Sequence, residues 1–241
     1  MSIPFSDTTT NLGIVQQVRN FMRVDSTQWP TSRIVNSINN YHDTVTGYAI
    51  GADKRFQWDD TNHTKLPIGT TNLVSGQSDY SFLLDEQNNP IITLTRIDII
   101  NNDGVTYRQL ELFDQSETDE ALQQLYTGNA QSEYYDKIAD NIIRLYPTPS
   151  VSITAGIKFY FQRTGSYFAA TDTTKSPGVS PLLHRGYVIA AAYDGALTLG
   201  LSNLASLGTE RQIEERKMIQ YFADRNMDSN SVMRGRYINP R

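Results

Sequence analysis

The sequence predicts an α+β fold: a four-helix bundle formed by N- and C-terminal helix pairs, with an inserted antiparallel β-rich domain. Three observations predict it. Apolar residues recur at helical spacing at both ends of the chain. The period changes to two in the middle. No long crossover helices separate the strand candidates, which argues against a doubly wound α/β sheet. The helical body is assigned to residues 1–51 and 181–227, the β-rich insertion to 52–180, and an extended C-terminal arm to 228–241.

The first helix is read over 12–24, where Leu12, Val15, Val18 or Arg19, and Met22 fall near one face. Trp29 and Pro30 open the second, since Pro is tolerated in a first turn. In it Ile34, Ile38, Tyr41, Val45 and Tyr48 form the cleanest amphipathic stripe of the chain, and Gly51 is placed as the cap. Such a stripe packs either into a bundle or against another copy. Segment 52–78 is polar and rich in turn formers. Strand signals follow: alternation of Tyr80, Phe82 and Leu84, the β-branched run 91-IITLTRIDII-100 ending at the turn 101-NNDG-104, and a short return over 106–108. Residues 114–128 read as a short helix. Three further strands are read over 133–139, 141–147 and 153–163, with a tight turn at Asp140 and Asn141. In the last, Ile157, Phe159 and Phe161 share one face while Lys158, Tyr160 and Gln162 share the other, which fits an antiparallel sheet with one wet face. After a loop over 164–180, an Ala-rich helix opens at 182. Its Gly195 and Gly200 mark close contacts or its end. The final helix runs from Thr209, as cap, to Asn226, with Ile213, Met218, Tyr221 and Phe222 as its packing face and Arg211 and Glu215 as an i,i+4 pair.

Composition bounds function. The 241 residues carry a formal net charge of −5, which argues against a protein whose main task is to grip nucleic acid. The absence of cysteine removes disulfides and thiolate metal sites. No apolar run of about 18 residues occurs and no signal-peptide pattern opens the chain, so the expectation is a soluble protein without membrane contact. The 14 tyrosines suit interfaces and half-buried strands alike.

No catalytic constellation emerges, so the chain is read as no enzyme, with no metal and no cofactor. Segment 65-KLPIGTTN-72 lacks the glycines and the lysine of a phosphate loop. His42, His63 and His184 are scattered. Asp53, Asp59 and Asp60 around Trp58, and the run 111-ELFDQSETDE-120, read as acidic surface. A hydrolase built on Asp59, Asp60 and Glu117 is the remote alternative. The C-terminal 228-DSNSVMRGRYINPR-241 concentrates Arg234, Arg236 and Arg241 against Asp228. It has little with which to form a core, so it either frays in solvent or lies on another chain. The arginine fork suits carboxylate or phosphate, and the acidic chain favours a protein partner.

The pieces 144-RLYPTPS-150, 157-IKFYFQRTGSYF-168 and 172-DTTKSPGVSPLLHRGYV-188, with the Ala-rich helix that follows, resemble the head-to-tail adaptor, or connector, proteins of tailed bacteriophages. The resemblance implies a virion protein at the capsid–tail junction, assembled in the host cytoplasm as a twelve-subunit ring. Such a ring joins the portal protein to a downstream tail protein and surrounds a channel through which DNA passes without sequence-specific binding. It also implies that 228–241 is the portal-contacting arm, with Arg234, Arg236, Tyr237 and Arg241 as contacts, and that acidic stretches face the channel. A receptor- or glycan-binding virion module, using Tyr and Trp on the β portion, is the alternative.

Overall fold

The structure, a computed structural model, describes residues 2–52, 58, 68–84, 90–101, 103–113 and 131–230. Its elements are α1 (Ile14–Met22), α2 (Thr31–Ala52), β1 (Ile68–Leu73), β2 (Asp79–Ser81), β3 (Ile91–Ile100), β4 (Tyr107–Gln109), β5 (Glu111–Leu112), β6 (Tyr134–Ala139), β7 (Ile142–Tyr146), β8 (Ile153–Arg163), a 3₁₀ turn (Pro181–Leu183), α3 (His184–Leu199) and α4 (Leu204–Asn230). The protein is α+β. The chain divides into two compact units, one of Met1–Thr61 with Gly165–Arg241 and one of Asn62–Thr164.

In the first unit α3 is the element the others surround. It packs against α1, α2 and α4, and Tyr187, Val188, Ile189, Ala190, Ala191, Ala192 and Ala196 are all buried along it. The alanines let neighbouring backbones approach. At Gly195 an added Cβ would meet the Met22 Sδ at 2.5 Å, so this glycine marks a close contact. Gly200, at φ +63°, closes the helix in the left-handed region. From α2, Ile34, Ile38, Tyr41 and Val45 enter the core and Tyr48 lies partly buried against it. From α4 come Leu207, Met218 and Phe222. Phe5 is fully buried, stacked on Phe168 at 5.4 Å, and its N–H donates to the Lys175 carbonyl.

Several helix boundaries differ from the expectation. Leu12 precedes α1 and is exposed. Gly51 lies inside α2, which ends at Ala52. Thr209 does not cap α4. The helix has already begun at Leu204, and the Thr209 hydroxyl donates to the Ala205 carbonyl one turn back. Ile213 is solvent-facing, and the neighbouring Glu214 takes the inward position. Arg211 and Glu215 do pair, at 2.8 Å. Because α4 continues to Asn230, the first three residues of the assigned arm are helical. Residues 231–241, and the helix expected over 114–128, lie outside the described residues.

The second unit holds two four-stranded sheets, in orders β1-β8-β3-β4 and β2-β7-β6-β5. Ile97, Ile99, Ile157, Phe159 and Phe161 from the first sheet and Tyr80, Ile143 and Leu145 from the second share one core. Three features depart from the expectation. β1 lies in the stretch read as turn-rich, and pairs antiparallel with β8 in the register Thr70↔Lys158. β5 pairs parallel with β6, so the second sheet is mixed. Gln162, expected on the wet face of β8, is buried.

Candidate assembly surfaces

The residues considered for catalysis do not come together. His184 is buried at the start of α3. The Ile3 N–H donates to its Nδ1 at 3.0 Å, so Nε2 carries the ring proton and donates to the Val179 carbonyl at 3.0 Å. Burial holds its pKa below the usual histidine value, against the raising effect of the carbonyl contacts. This neutral imidazole ties the N-terminal segment to the loop before α3. His42 is also buried. Its Nδ1 lies 3.0 Å from the Tyr187 hydroxyl and its ring 4.4 Å from that of Trp58. Both histidines do structural work within the helical unit. His63, Asp53, Asp59, Asp60 and Glu117 lie outside the described residues. Gly69 of the rejected phosphate-loop segment sits within β1. Among the described residues no group of three His, Cys, Asp or Glu side chains could hold a metal ion, and no helix is long and apolar enough to cross a membrane.

The stripe residues Ile34, Ile38, Tyr41 and Val45 are buried inside one unit. Burial, with Glu215 as the next contributor, pushes the Tyr41 hydroxyl's pKa well up, so it stays protonated. Arg234, Arg236, Tyr237 and Arg241 lie outside the described residues.

On the first sheet of the second unit, cations cover the tyrosine rings. The Lys158 Nζ sits 3.5 Å from the centre of Tyr107, and Arg96 lies over Tyr160 at 5.6 Å while pairing with Asp98 at 2.5 Å. A glycan platform needs open ring faces, and these two rings are already engaged by the chain's own side chains.

The helical unit carries a groove of about 650 Å³, lined among others by Phe21, Arg23, Arg185, Ile189, Asn203 and Leu207. Ile189 and Leu207 form a buried apolar floor, and Phe21 is partly exposed at the edge. Arg185 is held by Glu210 at 3.2 Å and by the buried Glu214 at 3.6 Å, with Lys217 bound to the same Glu214 at 2.8 Å. The Asn203 amide donates to the Phe21 carbonyl at 2.8 Å, whereas its Oδ1 is buried with no hydrogen-bond partner among the described residues. Arg23 closes α1, its N–H donating to the Asn20 carbonyl, and its guanidinium has no ion pair among the described residues. Sequence reasoning missed this groove because three separate elements build it. The only local signal was the exposed Phe21 beside Arg23 at the end of a helix.

In comparison with known proteins, the model of the SU10 adaptor protein family, a phage head–tail adaptor family, matches residues 9–236. No match was found among curated proteins.

Proposed function

Because the chain belongs to the SU10 adaptor protein family, we propose that it is a non-enzymatic subunit of a ring that joins the phage portal to the tail and surrounds the DNA channel. Membership makes it a structural phage subunit, a virion component that contacts other virion proteins. The observation that carries the finer reading is the span of the match, which runs through both compact units and leaves out only short ends. The ring has twelve subunits, with the portal on one side and a downstream tail protein on the other. It sits at the capsid–tail junction and is assembled in the host cytoplasm.

In this reading the two helix pairs act as one four-helix body and the β unit is its insertion. Ile34, Ile38, Tyr41, Val45 and Tyr48 pack that body within a subunit, since burial in its core leaves them no surface for a neighbour. Residues 228–241 are the portal-contacting arm, through Arg234, Arg236, Tyr237 and Arg241. The net charge of −5 suits a wall that DNA passes without sticking. Electron microscopy of native particles tests the reading. The expected result is a closed twelve-fold ring of this chain between portal and tail, with the arm on the portal. Finding the chain elsewhere in the particle, or in no closed ring, overturns it.

A further inference from the structure

We propose that the N-terminal segment 2–6 is an acid-released strap of the helical unit, latched by His184. The release belongs to a single subunit and does not depend on the ring.

The strap joins three parts of the unit. Its Phe5 and Ser6 N–H groups donate to the Lys175 and Thr173 carbonyls of the loop before α3, at 2.6 and 2.9 Å. Its Pro4 and Phe5 carbonyls accept from the Ile14 and Val15 N–H groups at the start of α1, at 2.9 and 3.0 Å. Those are orphan donors of a helix whose cap, Gly13, has no side chain to satisfy them. The strap presses on Gly13 itself: an added Cβ would overlap the Asp7 N and lie 2.8 Å from the Ser6 carbonyl carbon. The Phe5 ring is fully buried and stacks on Phe168. The third tie is the Ile3 N–H, which donates to Nδ1 of His184, the first residue of α3.

This third tie is the one that a proton breaks. The neutral ring accepts at Nδ1 and donates from Nε2 to Val179. A doubly protonated ring donates from both nitrogens, so it keeps the Val179 contact and loses the one to Ile3. Donor then faces donor in a buried site. The chain's amino-terminal ammonium also opposes a positive ring. The charged side chains of the surrounding elements are committed elsewhere. After the strap, Asp7 accepts from the Thr9 and Thr10 N–H groups. In the loop, Lys175 pairs with Asp172, and across α3 and α4, Arg185 pairs with Glu210 and Glu214.

Lifting the strap opens Nδ1 to water, where the ring regains the ordinary histidine pKa of about 6.5. Burial holds it lower in the closed state. Release therefore takes up a proton between these two values. The strap's opening constant is level above about pH 6.5 and rises by up to about tenfold per pH unit as pH falls below it. It levels again once the closed ring is itself protonated. Acid thereby bares Phe5 and uncaps α1, leaving the core around α3 in place.

Native-state hydrogen exchange of the whole chain tests this, with each rate corrected for the pH dependence of an unstructured amide. Between about pH 7 and about pH 5, a range that brackets an ordinary histidine, the Ile3, Phe5, Ser6, Ile14 and Val15 amides should lose protection together, several-fold. Those of α3, β3 and β8 should keep theirs. His184→Asn supplies Ile3 with a carbonyl acceptor that does not titrate, so its strap protection should not change over this range. A wild-type strap with level protection overturns the proposal, and so does a loss shared by α3, β3 and β8. A slope that persists in His184→Asn overturns it too, and assigns the effect to another group such as His42. A His184→Asn strap that is open throughout the range, with α3 still protected, supports the latch when the wild-type loss is local. If the variant does not fold, the wild-type profile decides alone.

Discussion

Two buried histidines show how single residues fix this fold. The ring of His42 is clamped between the Tyr187 hydroxyl and Trp58, and Gly165 passes so close that an added Cβ would lie 2.2 Å from its Nε2 and 2.9 Å from the Trp58 Cδ2. Neither ring can swing aside, because both are buried. Gly165→Ala is therefore expected to cost about 1–3 kcal/mol, the usual penalty of overpacking a filled site, read as a lower denaturation midpoint. An unchanged midpoint would show that the rings yield. His184 acts through its protonation state. Its Nδ1 must stay bare to accept from the Ile3 N–H, and burial lowers its pKa. An unfolded histidine titrates near ~6.5. Between that pH and the lower folded pKa, the unfolded chain holds a proton that the folded chain lacks. Unfolding then takes up a proton, so this group's contribution weakens as pH falls through that window and is constant above it. In an NMR titration the His184 ring should show a midpoint below that of the urea-unfolded chain. A midpoint at or above it would contradict the assigned tautomer and its hydrogen bonds.

At the scale of elements, helix α2 turns one apolar face into the core, and Ile38 is fully buried on it. Ile38→Ala is expected to lose about 2–5 kcal/mol, since the cavity it opens is walled by close-packed side chains. Urea denaturation monitored by helical circular dichroism measures it, and a loss below about 1 kcal/mol would place Ile38 at a site able to collapse. The stripe containing Ile38 was legible in the sequence because its period matches a helix. β3 and β8 were legible because β-branched and aromatic residues alternate along them. β1 was not. Its sequence IGTTNL has apolar side chains only at its two ends and no period-two alternation, and its conformation comes from pairing with β8, a partner far away in the chain. The start of α4 was missed for a related reason. Gly208 in 204-LASLG-208 reads as a breaker, yet Leu207 just before it is buried in the core and packing overrides the local signal. Glu214 was illegible as a buried residue because its partners Arg185 and Lys217 satisfy it only once α3 and α4 are side by side. The groove shares this property: Phe21, Arg185 and Asn203 come from three stretches, none of them unusual alone.

For the whole molecule, the distribution of charge sets the C-terminal stretch apart from the rest of the chain. Each compact unit has its own core cluster. The chain is acidic overall at −5, while 228–241 holds Arg234, Arg236 and Arg241 against Asp228 alone. A segment that opposes the chain's own sign is suited to an acidic surface on another protein. Ending the chain at Asn230 keeps α4 whole, so the truncated protein should unfold at the same temperature as the full chain and give the same helical spectrum. Its incorporation into particles should nevertheless be lost. Charge and length are then separated by a full-length variant with Arg234→Glu, Arg236→Glu and Arg241→Glu. If guanidinium groups anchor the arm, this variant fails to attach as completely as the truncation does, and attachment of the natural chain weakens as salt is raised. If the variant attaches normally while the truncation does not, the arm works through Tyr237 and its backbone instead. If both attach, residues 231–241 have no part in joining this subunit to its neighbour, and the anchoring must come from the helical body.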